Sequence, residues 1–481
     1  MEPIVTDATP TFAIVGAVNH GKSSVVSTLA EDDQIKISAM PGETVECQRF
    51  WLLDLFVFYD TPGFQNALEA LNELAPAAQA SEPLSVFRQF VERHKGEVEF
   101  EAEYQLFQPI IAGAGVVYVV DGSEPLLEIH KAEMEILRMT GQPRLAIINR
   151  TGTDDHVQDW KRRLGLHFNA VREFNAHHAT FANRLELLET LAGIEQSWKP
   201  KLMRAVTMVR EDWEKRLSEC AEILVNMLSD CLTHEERTLL QSEAQRQSEE
   251  RALTDRFQKA ICAREANAHK AIIKLFRHEL IKSETSAGDL FEEGLFSEQT
   301  WSLFGCSQQQ LVALASVGGA AGGAMIDVMF GGHSLGAFAL GGMAIGAAGA
   351  FFAGKTRPEI ELEMPRNMRW LSPRLKVAGT TLRVPPYAAL NFPWILVDRC
   401  IAIFHYSIHR THARRDKVRI NSAEEKAKMA KSGVSTDHWP AGVRRDCQKR
   451  FTALRNGKLA PKAREELREL LRAQLVAVSN S

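Results

Sequence analysis

Apolar and polar positions along the chain follow two regimes. Up to about residue 197, short apolar runs alternate with amphipathic ones. Phe12-Ala13-Ile14-Val15 is an apolar run ending at a glycine, and a helix-like run over 24–30 follows. Runs over 47–53 and 55–59 predict two strands joined by a tight turn at Asp54, the second ending in Asp60-Thr61-Pro62-Gly63. Leu68, Leu71 and Leu74, then Val86, Phe87, Phe90 and Val91, recur at helical spacing, interrupted by Pro76 and Pro83. The run 116–121 predicts a buried strand ending at Asp121, and 131–139 a helix with charges on its open face. A second buried strand over 144–148 ends at Asn149-Arg150-Thr151-Gly152, and a last strand over 171–174 ends at Asn175-Ala176-His177. Strands alternating with helices predict an α/β fold, a doubly wound and mostly parallel sheet that binds ligands at the carboxyl ends of its strands.

Beyond residue 197 the pattern is helical. From 198 to about 286 no proline follows Pro200 and no glycine appears before Gly288, which predicts long amphipathic helices. Leu217, Ala221, Leu224 and Leu228 line one face, suited either to a partner-binding arm or to a plain bundle. The stretch 311–330 is apolar apart from Ser316 and Asp327, 335–354 has no charge, and Gly331-Gly332-His333-Ser334 separates them. Gly318 and Gly322, Gly319 and Gly323, then Gly342, Gly346, Ala350 and Gly354 give the four-residue spacing of closely packed helices. A glycine-rich apolar helical hairpin is predicted, each arm about as long as a bilayer core is thick. Lys355 and Arg357 follow it, as on a cytoplasmic face. Glycine and alanine drive insertion weakly, and Asp327 is costly in lipid unless it lies at the far interface. Membrane insertion and a tightly packed soluble core therefore both stay open. Further on, 382–384 is strand-like, and 392–405 is an apolar helix broken only by Asp398 and Arg399, expected against the hairpin or in the membrane interface. A basic run from His409 to Arg419 fits anionic headgroups or a solvated helix face, and 462–478 is a charged amphipathic helix. The expected domains are an α/β domain at 1–197, a helical arm at 198–300, the hairpin at 301–358 and a helical, basic region at 359–481.

Composition narrows the function classes. A net charge of −4 and the absence of a recognisable nucleic-acid module argue against a nucleic-acid partner. None of the seven cysteines forms a C-x-x-C pair, which fits a reducing compartment without a zinc site or disulfide framework. The first ten residues have neither a basic start nor an apolar core, so no signal peptide is expected. The histidines show no metal spacing. Mean hydropathy is −0.18, unlike that of a polytopic membrane protein.

The chemistry concentrates in Gly16-Ala17-Val18-Asn19-His20-Gly21-Lys22-Ser23, which is G-x-x-x-x-G-K-S between a strand and a helix. Glycines let backbone N–H groups curl around phosphate oxygens, and the helix N-terminus adds its positive end. Lys22 is suited to reach the β- and γ-phosphates and Ser23 to supply a hydroxyl to Mg²⁺. Gly16, Asn19, His20, Gly21, Lys22, Ser23 and Ser24 are thus candidate nucleotide contacts. Asp60, at the end of an apolar strand, is a candidate Mg²⁺ ligand, and the Gly63 N–H a candidate γ-phosphate contact. Thr44, on a loop behind Pro41-Gly42, is placed to bind Mg²⁺ and sense the γ-phosphate.

This order of motifs resembles the Era/TrmE/EngA group of GTPases, and the bacterial family in which such a domain precedes a C-terminal domain of unknown function. The resemblance covers about the first 190 residues by specific motifs. It implies that Thr44 is the switch I threonine, that Asp60 to Gly63 form switch II, and that Asn149 binds the purine edge with Arg150 packed on the base. It further implies that Asn175, Ala176 and His177 support the guanine. Two positions depart from related patterns. Gly152 stands where the guanine motif has an aspartate, with Asp154 and Asp155 just downstream, so the sequence leaves guanine-versus-adenine choice open. Phe64 follows Gly63 where Ras-like enzymes have a water-orienting glutamine. Some members of the group use K⁺ held by a loop asparagine, and Asn19 matches that position. With Lys22 and Thr44, Asn19 completes the expected catalytic set.

The sequence therefore leads to a GTP/GDP-binding, Mg²⁺-dependent switch with slow GTPase activity, stimulated by K⁺ or by homo-oligomer formation. Its expected location is the cytoplasmic face of the inner membrane, with lipid contacted through 311–354. The alternative is a membrane-associated scaffold or remodelling protein whose nucleotide site regulates self-assembly with negligible turnover.

Overall fold

The computed structural model describes residues 9–17, 20–30, 47–52, 55–77, 82–150, 152, 155–176, 179–276, 290–315, 360–363, 380–410 and 420–480. These residues form two compact units, one built mainly from the chain up to Glu214 and the other mainly from Lys215 onward.

The first unit is an α/β sandwich. Its elements are β1 (Thr11–Val15), α1 (Lys22–Ala30), β2 (Gln48–Leu52), β3 (Phe56–Asp60), α2 (Ala67–Leu74), α3 (Pro83–Arg93), α4 (Glu101–Ile111), β4 (Gly115–Asp121), α5 (Glu128–Met139), β5 (Arg144–Asn149), α6 (Val157–Leu164), β6 (Ala170–Glu173) and α7 (Phe181–Ile194). The six strands run in the order β2-β3-β1-β4-β5-β6. All pairs are parallel except β2 with β3. Strands β1 and β4 are buried on both faces, which is why they read as continuous apolar runs rather than alternating ones. One face packs on α2 to α6 through Phe87, Phe107, Leu106 and Trp160. The other packs on α1, α7 and the start of α8 (Lys199–Leu232) through Val25, Leu188, Trp198 and Leu202. The parallel strands point their carboxyl ends one way, so Val15, Asp60, Asp121 and Asn149 gather at one edge of the sheet.

The second unit is mainly helical. It contains the rest of α8, β7 (Glu236–Leu239), α9 (Arg246–Leu275), β8 (Glu361–Glu363), β9 (Thr381–Val384) and the helices Phe392–His409, Ser422–Lys431, Ala441–Arg455 and Pro461–Ser479. Leu217, Ala221, Leu224 and Leu228 on α8 are all buried, as their spacing predicts. The long helices expected over 198–286 are present as α8 and α9, and the expectation is corrected only between them, where β7 pairs antiparallel with β9. A polar stretch becomes strand there because a distant strand offers it a ladder, and Glu235 adds an ion pair to Arg383 at 2.7 Å. The two apolar arms of the glycine-rich hairpin, 311–330 and 335–354, lie outside the described residues except for 311–315, the end of the helix Gln308–Ala315. No helix among the described residues is long and apolar enough to cross a membrane.

The helix Phe392–His409, expected against the hairpin or in the membrane interface, is buried within the second unit. Fifteen of its residues are buried, so it is a central core helix with no spare face. Its two charged residues are the best enclosed of all. Arg399 is fully buried, its Nε donating to Glu265 Oε1 of α9 at 2.6 Å, with the guanidinium 4.1 Å from the Phe291 ring centroid. Asp398 accepts from Lys426 Nζ at 2.7 Å and from the backbone N–H groups of Gly305 and Thr436 at 2.8 Å each.

Removing one partner of such a pair strands a charge in the core. Glu265→Ala is expected to cost about 3–5 kcal/mol in urea unfolding of the second unit, whereas the double change Glu265→Gln with Arg399→Met costs less.

Candidate functional site

The loop after β1 is shaped by two glycines that no other residue replaces. Gly16 has φ +148°, and a Cβ there would stand 2.1 Å from the Val119 carbonyl oxygen of β4. Gly21 has φ +85°, and a Cβ there would stand 2.3 Å from Asn149 Nδ2. The loop thus turns flush against the sheet edge before α1 begins at Lys22. Lys22 is buried, and its Nζ donates to the carbonyls of Gly16 at 3.2 Å and Ala17 at 3.0 Å. Burial lowers its affinity for the proton, while the carboxylates of Asp60 and Glu133 oppose that shift.

Ser23 Oγ donates to Asp60 Oδ2 at 2.5 Å, joining the start of α1 to the end of β3. Asp60 is 2% exposed, and its Oδ1 finds no hydrogen-bond partner among the described residues. Burial raises the Asp60 pKa, against the pull of Ser23 and Lys22. An orphaned buried carboxylate oxygen beside a hydroxyl is a hard-oxygen donor set that fits Mg²⁺. Ser24 is buried in the same turn of α1. Asn19 and Thr44 lie outside the described residues, as do His177 and Asp154.

Asn149, fully buried at the end of β5, clamps the site together. Its Nδ2 donates to the His20 carbonyl at 3.2 Å and its Oδ1 accepts from the Ala176 N–H at 3.1 Å. Thr28 of α1 bonds the Ala176 carbonyl at 3.1 Å. The phosphate loop and the loop after β6, which carries Asn175, therefore share one brace. His20 is also buried, with Nε2 3.3 Å from Glu124 Oε2. Burial outweighs Glu124 and lowers its pKa, so at neutral pH the ring is an uncharged hydrogen-bonding partner. His130 lies next to it, pushed down to about 4 by burial and by His20 itself.

The Arg150 guanidinium pairs with Asp155 at 3.1 Å at the surface. The Gly152 N–H donates to Ser123 Oγ at 3.0 Å, and that hydroxyl donates to Asp121 Oδ1 at 2.5 Å. A Cβ at Gly152 would stand 2.9 Å from Ser123 Oγ, so the loop is fitted to a glycine here. Lys22, Ser23 and Asp60 converge, then, and Asn149 joins the loops beside them.

Three groups escaped the sequence reading. Tyr118 of β4 donates to Glu133 Oε2 of α5 at 2.6 Å, both fully enclosed. Glu103 of α4 is likewise fully buried and bonds the backbone just after Gly63. The signal was present: Glu103 falls on the stripe completed by Leu106, Phe107 and Ile110, and Glu133 on that of His130, Met134 and Leu137. A carboxylate on an apolar helical stripe is a buried carboxylate.

Comparison with known proteins adds the following. Residues 161–476 match a family described as a domain of unknown function (DUF3482), and residues 11–150 match the family described as 50S ribosome-binding GTPase. Over 149 residues the chain is 26% identical to GTPase Der of Alkaliphilus oremlandii (strain OhILAs), covering 30% of this chain and 28% of that protein. The chain thus spans under a third of that relative's length. Among solved structures it is similar to Era in complex with MgGDPNP and nucleotides of 16S ribosomal RNA, at 15% identity and TM-score 0.25. It is also similar to a variant of Aquifex aeolicus Era bound to GDP and AlF4⁻, at 14% identity and TM-score 0.24. Each covers 49% of this chain and 74% of the other.

Glu133 makes the first unit pH-sensitive. Burial raises its carboxyl from 4.5 to about 7. A raised folded-state pKa gives stability that is complete below 4.5 and is lost as pH rises through about 7. Glu133→Gln is expected to flatten the decline in thermal midpoint across that window; a decline equal to the parent's overturns the assignment.

Proposed function

Because the chain belongs to the DUF3482 family and bears a P-loop GTPase domain ahead of that region, we propose that it is a Mg²⁺-dependent GTP switch that hydrolyses slowly. The observation that carries this reading is the convergence of Lys22, Ser23 and Asp60 at the mouth of a glycine-shaped loop, with an unsatisfied Asp60 oxygen. Lys22 would neutralise the β- and γ-phosphates, and Ser23 with Asp60 would hold Mg²⁺. When bound, Mg²⁺ offsets charge that builds between those phosphates. Gly63 would meet the γ-phosphate through its N–H, and Thr44 would close over the metal. Asn149, Arg150, Asn175, Ala176 and His177 would frame the base. Phe64 is 4% exposed and packs on Phe107, so it offers nothing to orient water, which supports slow turnover. Asn19 would hold K⁺ and raise the rate.

Residues 1–197 would form the nucleotide module, and nucleotide state would be relayed through 64–110 to the rest of the chain. The uncharged stretch 335–354 and its four-residue glycine spacing support lipid contact, at the cytoplasmic face of a membrane, as the output.

The test is turnover by the full chain. GTP hydrolysis should require Mg²⁺, rise when K⁺ replaces Na⁺, and fall about 100-fold or more in Lys22→Ala. ATP measured alongside reads the base preference. Absence of any hydrolysis or guanine-nucleotide binding sinks the proposal. Co-flotation with vesicles containing anionic lipid tests the membrane arm, and a chain left at the bottom of the gradient rejects it.

A further inference from the structure

The segment that leaves β3 is held at both ends. At its start, the Thr61 hydroxyl donates to the Ile14 carbonyl at 2.6 Å, and the Thr61 N–H reaches the same oxygen at 3.4 Å. At its end, Glu103 Oε1 accepts the backbone N–H groups of Gln65 and Asn66, each at 2.7 Å. Asn66 adds a side-chain bond to the Glu99 carbonyl. Phe64 is buried against Phe107, one turn beyond Glu103 on the same helix. Only Pro62 and Gly63 remain between these anchors, and proline fixes its own φ. Gly63 therefore has little slack.

Glu103 is an unusual residue to find there. It is fully buried on the apolar face of α4, where a carboxylate is costly unless its hydrogen bonds repay desolvation. It spends one oxygen on two N–H groups at the entrance to α2, where charge-assisted bonds and the helix dipole both favour an anion. Its second oxygen finds no partner among the described residues. These bonds also cap α2, yet α2 could equally begin in water with its first N–H groups solvated.

We propose that Glu103 is a positioning residue that pre-sets the Gly63 amide for the γ-phosphate. This rests on the GTP-switch reading above. An N–H already fixed in place is not ordered at the moment of binding, so its bond to the phosphate is realised in full. The effect is confined to the nucleotide that has a third phosphate. With Phe64 withdrawn into the core, the placing of this amide is what the segment contributes to nucleotide discrimination.

The experiment compares Glu103→Ala and Glu103→Gln in the full chain, measuring affinity for GDP and for the non-hydrolysable analogue GDPNP with Mg²⁺. The expected result is GDP affinity within about twofold of the parent and GDPNP affinity about tenfold weaker in the alanine variant. The glutamine variant, which keeps an oxygen acceptor of the same reach, should be weakened less. Faster amide exchange at Gln65 and Asn66 should accompany both. Equal weakening for both nucleotides, or an unchanged GDPNP-to-GDP ratio in a folded alanine variant, overturns the proposal. A parent chain that binds neither nucleotide overturns the switch reading itself and this inference with it.

Discussion

An ammonium taken out of water must be surrounded, and in the first unit that ammonium belongs to Lys22. Two carbonyls of its own loop receive it, and the carboxylates of Asp60 and Glu133 act on it through space. Much of the local architecture follows from supplying those groups without water. The loop must curl so that Gly16 and Ala17 present their carbonyls inward, which forces a backbone only glycine adopts at 16 and a close approach to Val119. The acids are drawn into low dielectric in turn. Among the described residues Asp60 and Glu133 each keep one oxygen without a partner, so the enclosure is matched to a positive charge and left short of donors elsewhere. That shortage of donors is the feature of the end of β3 on which the proposed Mg²⁺ site rests.

The parallel strands were legible because they are buried on both faces, and the phosphate loop because its spelling is dictated by backbone geometry. The interplay of Lys22, Ser23 and Asp60 followed from those two facts. What was not legible came from contacts distant in sequence. The sequence offers Asn149 as a base contact but not the brace its carboxamide forms from His20 to Ala176, a clamp no local pattern announces. Strand β7 looks helical because its reason for being extended is β9, nearly 150 residues away. Glu103 and Glu133 were visible in principle, as charges on apolar stripes, but helices with many charges hide such exceptions. The hairpin at 311–354 lies almost entirely beyond the described residues.

The second unit handles buried charge differently. Arg399 and Asp398 are neighbours on one helix, yet each has its own set of partners drawn from separate segments: Glu265 and the Glu293 carbonyl for the arginine, Lys426, Gly305 and Thr436 for the aspartate. Apolar packing alone tolerates many registers between helices, whereas these bonds are satisfied in one. A core helix that is apolar but for this pair is thereby given a fixed rotation and height among its neighbours.

The contact between Gly152 and Ser123 bears on which substitutions this loop can accept. An aspartate at 152 would collide with the Ser123 side chain, while shortening Ser123 to glycine first would strip Asp121 and the Gly152 N–H of the hydroxyl they share. A side chain at 152 is thus admitted only if the Ser123 hydroxyl gives way, and it gives way only at the expense of the two hydrogen bonds it makes. The two positions are coupled through one hydroxyl, so a change at either is felt at the other.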